Sequence, residues 1–147
     1  MYLLDTDHLS VLERGGAESE PLRRRLQAVP PDEIAATVVS YEEQTRGWLS
    51  YLAKARSLEE QVTAYHYLQR HLQVFCVVPL MAFDPAAAVI VQQLQQQRLR
   101  IGTMDLKIAS IALSQGATLL SRNVRDFQKV PGLHVEDWTP PPTGATE

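Results

Sequence analysis

Acidic and amide side chains stand at several points of this sequence where a short apolar run meets a helical pattern. They are Asp5, Glu43, Asp105, Asn123 and Asp126. A carboxylate that leaves water loses several kcal/mol of hydration free energy unless a partner compensates for the loss. The four histidines are scattered and the single cysteine stands alone. A set of oxygen ligands without His or Cys suits a hard cation, Mg²⁺ or Mn²⁺.

Each of these acids also has a purely structural interpretation, and the sequence leaves both interpretations open. Asp7 can cap the first helix. Ser40 and Glu43 have the spacing of a capping box, in which each side chain binds the other residue's backbone N–H. Asp105 follows Thr103, and an acid in the first turn of a helix is stabilised by the helix dipole. The functional interpretation therefore depends on whether the acids meet in one place.

Short apolar runs alternate with amphipathic stretches along the chain. The pattern predicts strands at residues 2–5, 33–39, 74–79 and 117–121, and a short fifth strand at 133–138. Helices are predicted to begin near Asp7, Ser19, Ser40, Ser57, Asp84 and Thr103, and the last of them to end at Gly116. Each parallel crossover needs a connecting helix. The sequence thus predicts an α/β fold, a three-layer α/β/α sandwich around a central, mostly parallel sheet of four to five strands.

Parallel strands bring distant acids to one edge of the sheet. In such sheets, ligands bind beyond the carboxyl ends of the strands. Asp5 ends the first predicted strand, Glu43 lies one turn into the helix after the second, and Asn123 follows the fourth. We therefore expect these side chains to converge, together with Asp105 and Asp126.

The length and composition indicate one globular domain. A chain of 147 residues with 45% hydrophobic residues is long enough to bury a core. We expect this domain to cover residues 1–138 and residues 139–147 to form a flexible tail. The apolar run at the start is too short for a signal peptide, and no stretch is long enough to span a bilayer, so we expect a cytoplasmic protein. Cys76, within an apolar run, is expected to be a buried thiol.

The net charge of −3 does not draw the molecule as a whole onto nucleic acid or an anionic membrane. A phosphate-containing substrate would have to be held by a metal ion or by a local basic patch. Basic residues that flank the acids offer such a patch, namely Arg98, Arg100, Arg122 and Arg125.

Four segments occur in the order "LLDTDHLSVL", "SYEEQTRG", "RIGTMDLKIASIA" and "LLSRNVRDFQKVPGLHVEDW". Together they resemble the PIN-domain ribonucleases, and more narrowly the VapC-type toxins of bacterial toxin–antitoxin pairs, over residues 1–138. The resemblance places the family's site acids on Asp5, Glu43 and Asp105. Many members carry a further acid where this chain has Asn123, and Asp126 follows as a substitute.

The resemblance implies a metal-dependent endoribonuclease that cleaves structured RNA, such as a transfer RNA or ribosomal RNA, and inhibits growth. Asp5, Glu43 and Asp105 would bind Mg²⁺ or Mn²⁺, and water would attack the phosphodiester in line. Supporting hydrogen bonds would come from Thr6, Thr103 and Ser121. The resemblance also implies a homodimer and a cognate antitoxin protein that occupies the groove of the site.

Two other functions are compatible with parts of this pattern. "LLDTDHL" also resembles the start of phosphatases in which Asp5 would be the nucleophile and Asp7 the general acid. That chemistry requires a lysine and a later pair of acidic residues. Lys107 and Lys129 are poorly placed for this role, and the sequence contains no Asp-Asp pair. A non-catalytic PIN-like binding module, in which Asn123 marks a decayed site, is the other alternative.

Overall fold

Short strands alternate with helices throughout residues 1–141, the part of the chain that the computed structural model describes. The strands are β1 (Tyr2–Leu4), β2 (Ile34–Thr37), β3 (Leu80–Met81), β4 (Thr118–Leu120) and β5 (His134–Glu136). The helices are α1 (Thr6–Arg14), α2 (Glu20–Gln27), α3 (Val38–Ala53), α4 (Leu58–Val77), α5 (Pro85–Gln96), α6 (Thr103–Gln115) and α7 (Val124–Phe127). Residues 142–147 of the predicted tail lie outside the described residues.

The strands form one sheet in the order β3-β2-β1-β4-β5, and every pair is parallel. β1 is central, and Leu4 lies opposite Ala36 of β2 and Leu120 of β4. The carboxyl ends of these three strands therefore lie side by side at one edge. The residues that follow Leu4 and Leu120 directly are Asp5 and Ser121.

Alternate residues of the strands pack into two separate cores, because successive side chains point to opposite faces of a sheet. Leu3 and its neighbours pack with α5 and α6 on one face. Leu4 packs with residues of α1 and α2 on the other face, where Trp138 closes the core. The predicted three-layer sandwich is confirmed, with five strands that are all parallel.

The predicted strand at 74–79 is wrong. α4 continues as far as Val77, and β3 begins only at Leu80. The run is apolar, but only one side of it reaches the core: Phe75 packs inward, whereas the side chain of Val77 is 79% exposed. Cys76 is exposed on this helix, so the prediction of a buried thiol is also wrong.

Several helix starts differ from those predicted. The N-cap of α1 is Asp5, and that of α6 is Gly102. α3 begins earlier than predicted, because Thr37 Oγ1 accepts a hydrogen bond from Ser40 N at 3.1 Å. The predicted capping box of Ser40 and Glu43 is therefore wrong, and the Glu43 carboxylate is left for another partner. Among the described residues, no helix is long and apolar enough to cross a membrane.

Candidate active site

An open groove of about 400 Å³ lies at the carboxyl ends of β1, β2 and β4. The residues that line it are Asp5, Thr6, Asp7, Ser10, Arg14, Glu43, Asp105, Arg122 and Asn123. The structure thus brings together the three predicted metal ligands and Asn123, which come from distant parts of the sequence. Asp126 is next to this group, since the Asn123 side chain contacts it.

Asp5 is the most buried of these acids, with 5% of its surface exposed. Its Oδ1 accepts a hydrogen bond from Thr6 N, and its Oδ2 accepts one from the Ser121 hydroxyl, both at 2.7 Å. Because Thr6 N belongs to the first turn of α1, Asp5 caps this helix while binding the end of β4. Each carboxylate oxygen accepts one hydrogen bond and keeps a further lone pair.

Glu43 is held by a hydroxyl from another element. Thr6 Oγ1 donates to Glu43 Oε1 at 3.1 Å and lies at the same distance from Ser40 Oγ. Ser40 is fully buried and also contacts Thr37, so α3 and the start of α1 are joined here. Thr6 was predicted to support the site. The contact of Ser40 with Thr6 was not predicted, because its spacing from Glu43 suggested a capping box.

Asn123 bridges two carboxylates through its amide nitrogen. Nδ2 donates to Asp105 Oδ2 at 3.3 Å and to Asp126 Oδ2 at 3.2 Å. The backbone N–H of Asn123 donates to Ser121 Oγ at 3.0 Å, which connects this bridge to the hydroxyl bound by Asp5. The amide of Asn123 donates hydrogen bonds to Asp105 and Asp126, whereas a carboxylate at this position would repel both. Ser121 thus contacts both Asp5 and Asn123, and Asn123 is a hydrogen-bond donor to its two acidic neighbours.

Burial and mutual repulsion raise the pKa values of the three acids that face the groove. Burial raises the pKa of Asp5 from 3.8 to about 7, against the lowering effect of the Ser121 hydrogen bond. Burial also raises the pKa values of Glu43 and Asp105; the charge of Asp105 adds to the effect on Glu43, and that of Asp126 to the effect on Asp105. Within residues 1–141, none of the ion pairs includes Asp5, Glu43 or Asp105.

The two acids at the rim of the groove, Asp7 and Asp126, have pKa values below their ordinary values. The hydrogen bond from Lys129 is the main reason that the pKa of Asp126 lies below its ordinary value. Burial alone would raise the pKa of Asp7, but the hydrogen bond and charge of His8, with help from Arg122, hold this pKa below its ordinary value. The groove therefore has uncompensated negative charge inside and paired charges around it.

Arg122 is the one predicted arginine among the residues that line the groove. It lies 3.9 Å from Asp7 Oδ2 and 3.4 Å from Glu18 Oε1. Asp126 and Ser121 do not line the groove, but each contacts a residue that does. The other predicted residues outside it are exposed: Arg98, Arg100, Arg125 and Thr103. Arg14 also lines the groove but was not predicted as a site residue. A basic residue in the last turn of a helix is already explained by its interaction with the helix dipole.

The donor chemistry of the groove fits a hard divalent cation, since carboxylate oxygens without a cationic partner face one space. In the arrangement of side chains in residues 1–141, however, no group of three or more His, Cys, Asp or Glu residues is close enough together to hold an ion. A ready-made cage is not required for Mg²⁺, which keeps several of its waters and binds through one or two carboxylates.

Comparisons with known proteins agree with this geometry. The family model of the PIN domain matches residues 2–133. The chain is 27% identical over 139 residues to the ribonuclease VapC1 of Haemophilus influenzae (strain R2866), an alignment that covers 95% of this chain and 98% of that protein.

Two further comparisons concern part of the sequence and the fold. A stretch of 63 residues is 33% identical to the tRNA(fMet)-specific endonuclease VapC of Salmonella typhimurium, covering 40% of this chain and 48% of that protein. A toxin–antitoxin complex from Klebsiella pneumoniae contains a chain of the same fold, with a TM-score of 0.66 and 23% identity over 90% of this chain and 95% of that chain.

Replacing Asp5 with Asn should change how stability depends on pH. The Asp5 pKa is about 7 in the folded protein against an ordinary value of 3.8, so the folded state binds more protons between these values. The free energy of unfolding of the wild type should therefore fall as the pH rises from about 4 to about 7. D5N cannot ionise at this position, so its free energy of unfolding should fall by up to about 4 kcal/mol less than that of the wild type over this range without metal. The contributions of Glu43 and Asp105, whose pKa values are also raised, should remain.

Urea unfolding in EDTA at several pH values measures this difference. Asp32→Asn is a matched control, because Asp32 is exposed near the opposite end of β2; it should follow the wild-type profile. A D5N profile parallel to that of the wild type would contradict the assignment of a raised pKa to Asp5.

Proposed function

The chain belongs to the PIN-domain family, and from this membership we propose that it is a VapC-type toxin: a Mg²⁺- or Mn²⁺-dependent endoribonuclease that inhibits growth by cleaving structured RNA such as tRNA or rRNA. The observation that carries the proposal is the meeting of Asp5, Glu43 and Asp105 in one groove without a cationic partner. The similarity to ribonuclease VapC1 over nearly the whole chain supports the same activity.

Asp5, Glu43 and Asp105 are the residues proposed to hold the metal ion. A bound divalent ion would place positive charge beside a phosphodiester and make nearby water more acidic. The raised pKa values of the three acids support this role, because a bound cation would offset both the burial and the mutual repulsion that oppose their ionisation.

The remaining residues of the site position the acids and the RNA. Ser121 and Thr6 fix the carboxylates of Asp5 and Glu43 by hydrogen bonds. Asn123 keeps Asp105 and Asp126 in place through a shared amide group. This bridge opposes the interpretation of Asn123 as the mark of a decayed, non-catalytic site.

Arginines in and beside the groove are proposed to bind the phosphates of the RNA. Arg14 and Arg122 line the groove itself, and Arg98, Arg100 and Arg125 would contact the RNA further out. We give Thr103 no more than an outer supporting role, since it is exposed.

We also propose protein partners, a cognate antitoxin and a second copy of this chain. Apolar side chains exposed on α4 support this proposal: Leu58 is 79% exposed, Val62 70% and Val77 79%. Residues 1–138 would act as one domain in the cytoplasm, where its RNA substrates are found. Trp138 supports this domain boundary because its ring packs into the core beside Tyr2.

Asp105→Asn and Glu43→Gln should each reduce RNA cleavage below about a tenth of the wild-type rate, because each removes a charged ligand and keeps the side-chain shape. Glu42→Gln is the matched control, since Glu42 pairs with Arg46 outside the groove at 2.6 Å. It should cleave within about twofold of the wild type, as expected for an exposed ion pair. Full activity in both site variants would remove these acids from the site.

The RNA products should carry 5′-phosphate and 3′-hydroxyl ends, because water is the proposed nucleophile. Sequencing the RNA ends from cells that express the chain tests the activity and identifies the substrate together. Cyclic 2′,3′-phosphate ends would show instead that the RNA 2′-hydroxyl attacks, and the proposed mechanism would be wrong.

Mn²⁺ should stabilise the wild type against thermal unfolding by on the order of 1 kcal/mol or more, once its concentration is several-fold above the Kd. Asp5→Asn and Asp105→Asn should reduce this gain, because each removes a proposed ligand. Melting curves with EDTA and with Mn²⁺ measure the effect, and the Glu42→Gln variant should keep the full wild-type shift. Equal shifts in all variants would mean that the acids do not bind the ion.

A further inference from the structure

Two adjoining cavities, of about 660 and 350 Å³, continue from the acid groove along α1, α3 and α4. Ser10 lines both cavities and the groove, and Glu43 lines the groove and the smaller cavity. Trp48 and Tyr51 line both cavities. A continuous depression therefore leads from the acids to these two aromatic rings.

Aromatic rings and arginines form one side of this depression. Trp48 stacks on Tyr67 with 4.9 Å between ring centroids and 13° between planes, and Tyr51 meets Trp48 edge-on at 6.0 Å. Tyr51 is 46% exposed. Arg14 and Arg70 line the larger cavity with these rings. Aromatic faces beside positive charge are the features with which proteins stack and hold single-stranded nucleic acid.

Buried hydrogen-bond acceptors without a partner belong to residues that line the same cavities. Within residues 1–141, Glu13 Oε1 and Gln44 Oε1 are buried and bind no donor, although both residues line the smaller cavity. Gln44 as a whole is only 7% exposed. A buried acceptor without a donor is costly, so a ligand with N–H groups would relieve both.

His71 supplies a third acceptor, in the larger cavity. The Thr45 hydroxyl donates to Tyr41 O at 2.7 Å, so Thr45 can only accept from His71 Nε2, which lies 2.8 Å away. The ring proton of His71 is then on Nε2, so Nδ1 is an acceptor. Nδ1 has no hydrogen-bond partner within the described residues. All three unpartnered atoms therefore call for donors.

Resting on the ribonuclease function above, we propose that these cavities bind one unpaired base of the RNA substrate, with a preference for guanine. The Watson–Crick edge of guanine carries two neighbouring donors, N1–H and N2–H₂, which match the acceptors of Glu13 and Gln44. Adenine and cytosine present one amino group each, next to an acceptor nitrogen that would meet these oxygens unfavourably. An arginine or lysine of a protein partner would also donate. The aromatic faces of Trp48 and Tyr51, with Arg14 and Arg70 in the larger cavity, favour a base, and the titrations below separate the two occupants.

The position of the cavities fits a base close to the cleaved bond. Glu43 and Tyr51 lie about 12 Å apart along α3, from the helical rise of 1.5 Å per residue, a distance that a strand of a few nucleotides spans. Gly47, between them, lines the smaller cavity, and a Cβ at this position would meet nothing within 4 Å. The path from the acids to Trp48 is therefore open.

The binding of two short RNAs to the full chain tests this proposal. The RNAs are uridine hexanucleotides with one central guanine or one central adenine, labelled with fluorescein. Asp105→Asn prevents cleavage during the titration. By fluorescence anisotropy, the guanine RNA should bind with a Kd about tenfold or more below that of the adenine RNA. Glu13→Leu and Gln44→Leu remove the acceptor oxygens and should reduce this ratio to within about twofold. Tyr65→Ala, which removes an exposed ring outside both cavities, should keep it.

A second measurement follows Trp48 directly. Adding Trp138→Phe leaves Trp48 as the only tryptophan, and the guanine RNA should quench its fluorescence. Equal affinity for the two RNAs, or quenching by the antitoxin but not by bound RNA, would overturn the proposal. A guanine preference in a chain that cleaves no RNA would keep the base site and contradict the proposed ribonuclease function.

Discussion

The buried carboxylate of Asp5 is the constraint on which the rest of the site depends. A carboxylate with 5% exposure needs donors for both oxygens, and it receives them from Thr6 at the start of α1 and Ser121 at the end of β4. The Asp5 backbone N–H also donates to Leu120 O at 2.9 Å. One residue therefore fixes the start of a helix, the pairing of two strands and the position of the first site acid.

From this point, charge is arranged in two zones. Asp5, Glu43 and Asp105 face the groove without cationic partners, whereas Asp7 and Asp126 at the rim are paired with Arg122 and Lys129. Paired rim charges limit the repulsion around the groove but leave its interior negative. In a protein of net charge −3, positive charge at this edge of the sheet is thus local, with Arg14 and Arg122 among the residues that line the groove.

The parallel fold made the convergence of the acids predictable, because carboxyl ends of parallel strands share one edge and Asp5 follows directly on such an end. The local roles were less accessible. The apolar run at residues 74–79 is compatible with a helix and with a strand, and only tertiary packing favours the helix. Ser40 and Glu43 matched a capping box, yet Thr37 provides the cap. The sequence indicated Asn123 only as an amide at a position where many PIN-domain members carry an acid. Its role as a donor depends on Asp105 and Asp126, which the fold brings beside it.

The pairing of Asp5 with Ser121 joins residues that are 116 positions apart in the sequence. During synthesis, the ribosome makes Asp5 long before the strand that it must bind. Until β4 has left the ribosome, β1 lacks one of its two neighbours and Asp5 lacks one of its donors. The nascent chain can therefore complete its acid groove only after the segment that ends in Ser121 has left the ribosome.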